Sequence, residues 1–373
     1  MAETEDHWAR QASFCAATLA VTAAYVFFVV FAEGALLELA RLGDGPASIP
    51  DALLDVLGIT GLVGSVLGAK WYRPEHFAVR LTVAYGVCAI AAVLALEATN
   101  WWLLPVAAVV GLALGLLAVT LAAGLRAAVS KDSLGLCCGL GVGLAYALCN
   151  LPLFYRADAA QQTALAASLM LLAAGATRWL RQRSGMPSTL SDYRSPGMVV
   201  WIVIFAVLVW MDSAVFYIIQ HTDYFGQSGW NSAGSLLGYA TVYLVVAPLA
   251  GVALDHGWLG RLAVLAFGAL AVACVLLDRD LRGFAEAEPL YMAGVALYST
   301  ALVYYPARGG KPWLTGLLYG LAGWVGSAAG IRTAQQLGRV PFFLVAAAGL
   351  VISMALLWRE RWRDKVHEPL LGA

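Results

Sequence analysis

Apolar positions along this chain gather in long blocks separated by short polar stretches. Blocks are read at residues 13–39, 52–69, 77–96, 101–123, 133–154 and 162–179. A second set follows at 198–219, 235–254, 262–277, 290–305, 314–331 and 341–358. A hydrocarbon layer about 30 Å thick takes roughly 20 residues of helix to cross. Within that layer every backbone amide must be satisfied inside its own segment, so the blocks are predicted as helices. The pattern gives an all-α chain of six spans followed by six more, joined by connections too short for a separate soluble domain.

The most polar break, residues 181–197, carries Gly185, Pro187, Ser188, Ser191, Ser195 and Pro196 and divides the chain almost in half. It predicts an N-terminal six-helix bundle over residues 1–183, a cytoplasmic linker over 184–197 and a C-terminal six-helix bundle over 198–373. Composition agrees with a membrane chain. Hydrophobic residues make up 61%, charged residues 12%, and the mean hydropathy is +0.77, where a soluble domain carries about 25% charged residues. The lipid bilayer is the first partner implied. A net charge of zero gives no reason to expect a nucleic acid.

The six cysteines all fall inside apolar blocks without C-x-x-C spacing, so neither a disulfide framework nor a thiolate metal site is expected. Cys137-Cys138 reads as a pair of small packing residues. No cleavable signal pattern follows Met1–Arg10, and the first span is expected to remain in the mature protein. Most of the 23 basic residues fall on one side of the predicted spans, among them Lys70, Arg73, Arg126, Lys131, Arg178, Arg308, Lys311 and Arg361. Arg41, Arg156, Arg279, Arg282, Arg332 and Arg339 fall on the other. The positive-inside rule then places both termini in the cytoplasm and the chain in a cytoplasmic (inner) membrane.

One residue breaks the apolar pattern where it is most costly. Asp212 lies about two-thirds of the way along the block 198–219. An ionisable group there costs at least a few kcal/mol unless it faces a cavity or a partner. A carboxyl so placed can take a proton from one side and release it to the other, and Asp212 is the first functional candidate. The bland alternative is an acid bonded to a hydroxyl such as that of Ser213. Near the end of the first span, Phe31-Ala32-Glu33-Gly34-Ala35 repeats the order of Trp210-Met211-Asp212-Ser213-Ala214: aromatic, apolar, acid, small, Ala. Glu38, Asp51 and Asp55 read as solvated acids at the outer boundary. A second internal likeness joins Gly64-Ser65-Val66-Leu67-Gly68 to Gly251-Val252-Ala253-Leu254-Asp255. Parallel repeats of six spans are one plan on which transporters are built.

The chain resembles the major facilitator superfamily. Its local signature is a Gly, three residues, an Asp and then a Gly-Arg pair, in the turn after the second helix of each half. Gly251, Asp255, Gly260 and Arg261 resemble it, with the Gly-Arg pair two residues late, and the first-half copy has Gly68 in place of the acid. A short acid at such a turn can charge a neighbouring helix terminus while Gly permits close approach. The resemblance implies two pseudo-symmetric bundles rocking about a central cavity, lined by the first helix of each half, with Glu33 and Asp212 on facing walls.

Other candidates follow from residue type. Asn150 and Pro152 interrupt the fifth span, and Pro152 frees a backbone carbonyl. Tyr217, Tyr239, Tyr243, Tyr298 and Trp324 could wall a cavity for an organic solute. Gln220, His221 and Asp223 fall where span seven leaves the membrane and read as an outer gate. Met211 and Met292 could offer thioethers to a soft cation such as Cu(I), although packing explains them better. Strings such as Gly139-Leu140-Gly141-Val142-Gly143 belong to a helix, where small residues serve close packing. With no phosphate-binding loop and no hydrolase motif, neither an enzyme nor a cofactor is expected. The expectation is a secondary active transporter of a small solute, proton-coupled through Asp212. Two alternatives stand beside it: a copper or iron transporter, and a non-transporting scaffold that assists another membrane complex.

Overall fold

The computed structural model describes residues 2–43, 46, 48–180, 197–221, 230, 232–278 and 284–367. Twelve long helices run through them. Helix α1 starts as Ala2–Val26, continues through a π-helical stretch, Phe27–Ala35, and ends as Leu36–Leu42. Then come α2 (Ile49–Trp71), α3 (Phe77–Glu97), α4 (Leu103–Ala128), α5 (Leu134–Cys149) and α6 (Ala159–Ala176). After the undescribed residues 181–196, which hold the expected linker, follow α7 (Gly197–His221), α8 (Ala233–Asp255), α9 (Leu259–Asp278) and α10 (Phe284–Gly309). Helix α11 joins Pro312–Leu317, a second π-helical stretch at Leu318–Val325, and Gly326–Leu337; α12 is Phe342–His367.

Eleven of these helices are long and apolar enough to cross a membrane. The exception is α10, whose first turns carry Glu286, Glu288 and Pro289. Two departures from the expected bounds have a local cause. The block 290–305 is the middle of a longer helix, because Pro289 and Pro306 are accommodated inside α10. The block 133–154 is not one helix: α5 stops at Cys149, and a short helical turn, Pro152–Tyr155, follows it. Pro152 has no N–H to continue the ladder, and the Asn150 side chain donates back to the Tyr146 carbonyl at 2.8 Å.

The outer surface fits a bilayer. Helix α3 presents Val79, Val83, Ile90 and Val93 outward, and α12 presents Leu350, Met354 and Leu357. Exposed tryptophans mark the helix ends, at Trp71, Trp101, Trp102, Trp179, Trp258 and Trp313, the place where amphipathic rings meet headgroups.

Between helices the packing relies on missing side chains. Along the contact of α2 with α4, a Cβ on Gly64 would lie 2.3 Å from the Leu112 carbonyl oxygen. Along the contact of α5 with α8, a Cβ on Gly135 would lie 2.2 Å from the Gly251 oxygen, and one on Gly139 2.3 Å from the Ala247 oxygen. Only glycine lets these backbones meet so closely.

Candidate functional site

A cavity of about 370 Å³ lies among α1, α2, α4, α5, α6, α7, α8, α10 and α11. Its mouth is formed by the exposed Arg41 and Asp51, with Gln335 beside them. It narrows inward past Asp212 to an apolar floor of Val21, Leu121, Leu302 and Val303. The mouth lies on the face opposite the one bearing Lys70, Arg126, Lys131 and Lys311, called here the basic face.

Asp212 faces this cavity, half-buried. Its carboxylate is held by two phenols of α10. The Tyr291 hydroxyl donates to Oδ1 at 2.5 Å, and the Tyr298 hydroxyl donates to Oδ2. Seven residues are two turns of α-helix, so both phenols project from one face of α10 and reach the two oxygens of one carboxylate. Glu33 lines the same cavity, but the hydrogen bonds to Asp212 come from these tyrosines and not from Glu33. The neighbouring Ser213 donates to Ser327 of α11 at 2.9 Å, not to Asp212.

The two π-helical stretches shape the wall. In an α-helix residues five apart differ by about 140° around the axis. In a π-helix the hydrogen bond itself joins residues five apart, so they lie near one another. Phe28 and Glu33 are five apart in α1, Tyr319 and Trp324 five apart in α11, and all four line the cavity. The rings of Phe28 and Trp324 meet edge to face at 5.8 Å. Trp324 lies so close over Gly61 of α2 that a Cβ there would fall 2.2 Å from the indole.

A tyrosine cluster completes the interior. Tyr146 stacks on Tyr243 with centroids 4.6 Å apart, and its hydroxyl lies 3.3 Å from Ser299 Oγ. Tyr25 donates to the Ser299 carbonyl at 3.3 Å. Asn150 and Tyr217 also line the cavity, whereas Met211 does not. It is fully buried in the core, because one residue along α7 is a turn of about 100° away from Asp212. Met292 is likewise fully buried and outside the lining. Gln220 and His221 close α7, but their side chains, and Asp223 altogether, lie outside the described residues.

Tyr239 does not join the wall. It donates to Glu288 of α10, a buried acid that the sequence reading passed over. Tyr25, Tyr146, Tyr291 and Tyr319 were also passed over. The available signal was the seven-residue spacing of Tyr291 and Tyr298.

At the basic face the cavity is sealed. Ser133, the local N-cap of α5, turns its hydroxyl to Ser130 Oγ at 2.5 Å and leaves the first amides of α5 uncapped. Asp255, arriving at the end of α8, accepts from the Gly135 amide at 2.7 Å and the Leu136 amide at 3.0 Å. An acid from another helix thus caps α5 and meets its positive terminus. Gly251, one turn earlier, is where α8 touches Gly135. Arg126 of α4 adds a bond to the Arg308 carbonyl at the end of α10, at 3.0 Å. Gly260 and Arg261 take no part: Gly260 has only the Arg359 side chain near it, and Arg261 is exposed over the Trp258 ring at 5.1 Å. The Gly64–Gly68 segment abuts α4 and α11, where a Cβ on Gly316 would lie 2.9 Å from the Ser65 oxygen. The side chain of Lys311, the N-cap residue of α11, makes no cap bond, and among the described residues the acid-to-helix link is the one that Asp255 makes to α5. On the opposite face Arg332 of α11 donates to Asp55 of α2 at 2.9 Å, an ion pair where solvated boundary groups were expected.

These features define an all-helical, multi-pass membrane protein. A solved structure superposes on it with a TM-score of 0.64 over 95% of this chain and 99% of the other, at 12% sequence identity. It is described as the crystal structure of a bacterial homologue of the iron transporter ferroportin in an outward-facing state. The likeness is one of fold. No protein-family model matches the chain, and no curated protein matches it in sequence.

Proposed function

We propose that this chain is a secondary active transporter that moves a small solute across a cytoplasmic membrane by alternating access, with Asp212 as its proton-carrying group. The observation that carries the reading is a carboxylate at membrane depth, open to a cavity and held by two phenols. Such a group can exchange one proton for another ligand without leaving a charge unpaired in low dielectric. In this reading residues 1–183 and 198–373 form two six-helix bundles joined by the linker 184–197, and the cavity lies between them. The basic face is cytoplasmic by the positive-inside rule, so both termini are inside and the cavity opens outward. The Asp255 link to α5 and the Arg126 link to α10 act as the inner latch, and they release when the bundles rock. Neither ATP nor an enzymatic step enters.

The fold match to an iron-transporter homologue gives the metal reading its support. Against it, no group of three His, Cys, Asp or Glu side chains that could hold a metal ion occurs among the described residues, and Met211 and Met292 lie in the core. The test is reconstitution with a pH-sensitive dye inside the vesicles and a panel of organic cations, amino acids, sugars and divalent metals outside. At least one solute should drive proton movement in the wild type and none in Asp212→Asn. Carriage by Asp212→Asn with unchanged pH dependence would remove Asp212 from the mechanism. Absence of any flux, together with a stable membrane partner that co-purifies, would favour the scaffold.

A further inference from the structure

Resting on the transporter reading, we infer that the cavity takes a monovalent organic cation whose charged head carries an apolar, ring-sized body. Charge is the first argument. The acids among the lining residues are Glu33, Asp51 and Asp212; the lining base is Arg41, which stays at the mouth with its guanidinium 3.6 Å from Glu38. Asp212 is engaged by two phenols. Glu33 is half-buried in the wall, and no described side chain donates to it. A carboxylate left without a donor at that depth is complementary to a cation.

The walls give the second argument. Phe28, Tyr146, Tyr243, Tyr319 and Trp324 present rings around the same space, and an aromatic face attracts an ammonium group within about 6 Å of its centroid. Rings of this kind serve a cation that lacks N–H groups as well as one that has them. Size is the third. A volume of about 370 Å³ falls within the roughly 300–1,000 Å³ of small-molecule sites, whereas a bare metal ion would leave most of it unfilled. An anion would meet the acids.

The test uses the full-length purified protein in detergent and titration calorimetry with three probes of similar size: benzyltrimethylammonium, benzyl alcohol and benzenesulfonate. The ammonium should bind once per chain and saturably, and the other two should not. Glu33→Gln and Asp212→Asn should each weaken it at least tenfold. Trp324→Ala should weaken it severalfold, with recovery in Trp324→Phe. Glu33→Asp and Asp212→Glu keep the charge and retain binding, which separates loss of charge from loss of fold. Equal binding of benzyl alcohol or benzenesulfonate overturns the inference, as does wild-type affinity in both charge-neutral variants. Stoichiometric binding of Co²⁺ in place of the ammonium overturns it in favour of a metal site. Ammonium bound but not carried by vesicles keeps the cation site and removes the transporter; another solute carried with Asp212-dependent proton flux, and no ammonium bound, does the reverse.

Discussion

Replacing Asp255 with Ala tests whether the basic face is held shut by a helix cap supplied across the seam. Its carboxylate accepts from the Gly135 and Leu136 amides, and Ser133, whose hydroxyl goes to Ser130, offers no substitute. Loss of an N-cap side chain costs about 1 kcal/mol, and loss of the negative charge at a helix N-terminus adds about 0.5–1 kcal/mol. The cost falls on the sealed form alone, because once α5 and α8 part both the carboxylate and the amides are free to meet water. A differential of about 1.5–2 kcal/mol raises the open population roughly 10–30-fold. Asp255→Asn keeps an acceptor and loses only the charge, so its effect should fall between wild type and Ala. The reporter is built in. Cys138 of α5 is fully buried next to the seam glycine Gly139, and in a chain with Cys15, Cys88, Cys137, Cys149 and Cys274 replaced it is the remaining thiol. When opening is fast relative to reaction, its alkylation by a polar maleimide tracks the open population. Labelling unchanged within twofold in Asp255→Ala would refute the latch, as would an equal rise in an Asp55→Ala control on the opposite face.

Tyr298→Phe should lower the melting temperature most at high pH. A hydrogen bond to a charged group is worth about 1.5–3 kcal/mol against about 0.5–1.5 for a neutral pair, so the deficit shrinks as acid protonates Asp212; a pH-independent deficit would show that the phenol serves packing only. Gly139→Ala places a methyl 2.3 Å from the Ala247 oxygen and should destabilise by about 1–3 kcal/mol. Gly86→Ala, with nothing within 4 Å, should leave the thermal midpoint unchanged or raise it; equal losses at both glycines would refute the account of the seam. Arg332→Ala breaks an ion pair whose side chains are 55% and 58% exposed, and denaturation should report a change below about 1 kcal/mol.

The helices were legible because a bilayer enforces a crude rule. A long apolar block can become little but a helix, so every block has a helix as its body, with short turns at the ends of 101–123, 133–154 and 162–179. Asp212 was legible for the same reason, as a charge among apolar neighbours. Of its two partners Tyr298 stood among the wall candidates, but its bond to Asp212 and the part of Tyr291 were not legible, because tyrosine is ordinary at membrane depth near an interface and both lie far from Asp212 in sequence. Glu288 escaped because it falls just before the block 290–305, where an acid reads as a boundary residue. Met211 was drawn to the cavity by adjacency in sequence, although neighbours on a helix face different ways. The seam was half-legible: Gly251 and Asp255 announced a close approach and an acid meeting a neighbouring helix terminus, and glycine spacing announced close packing in α5, but nothing local said that α5 was the helix Asp255 would cap.

The stretch Phe27–Ala35 carries surplus residues for the height it spans, like a corkscrew with too many threads. Rewinding one such residue into α-helical register would turn everything beyond it, including Leu36–Leu42, by about 100° without tilting the helix. Glu33 would then be carried off the cavity wall while Tyr25, below the stretch, kept its place. The acid facing the mouth could thereby be presented or withdrawn by a twist internal to one helix, a degree of freedom separate from any rigid movement of the chain's two halves.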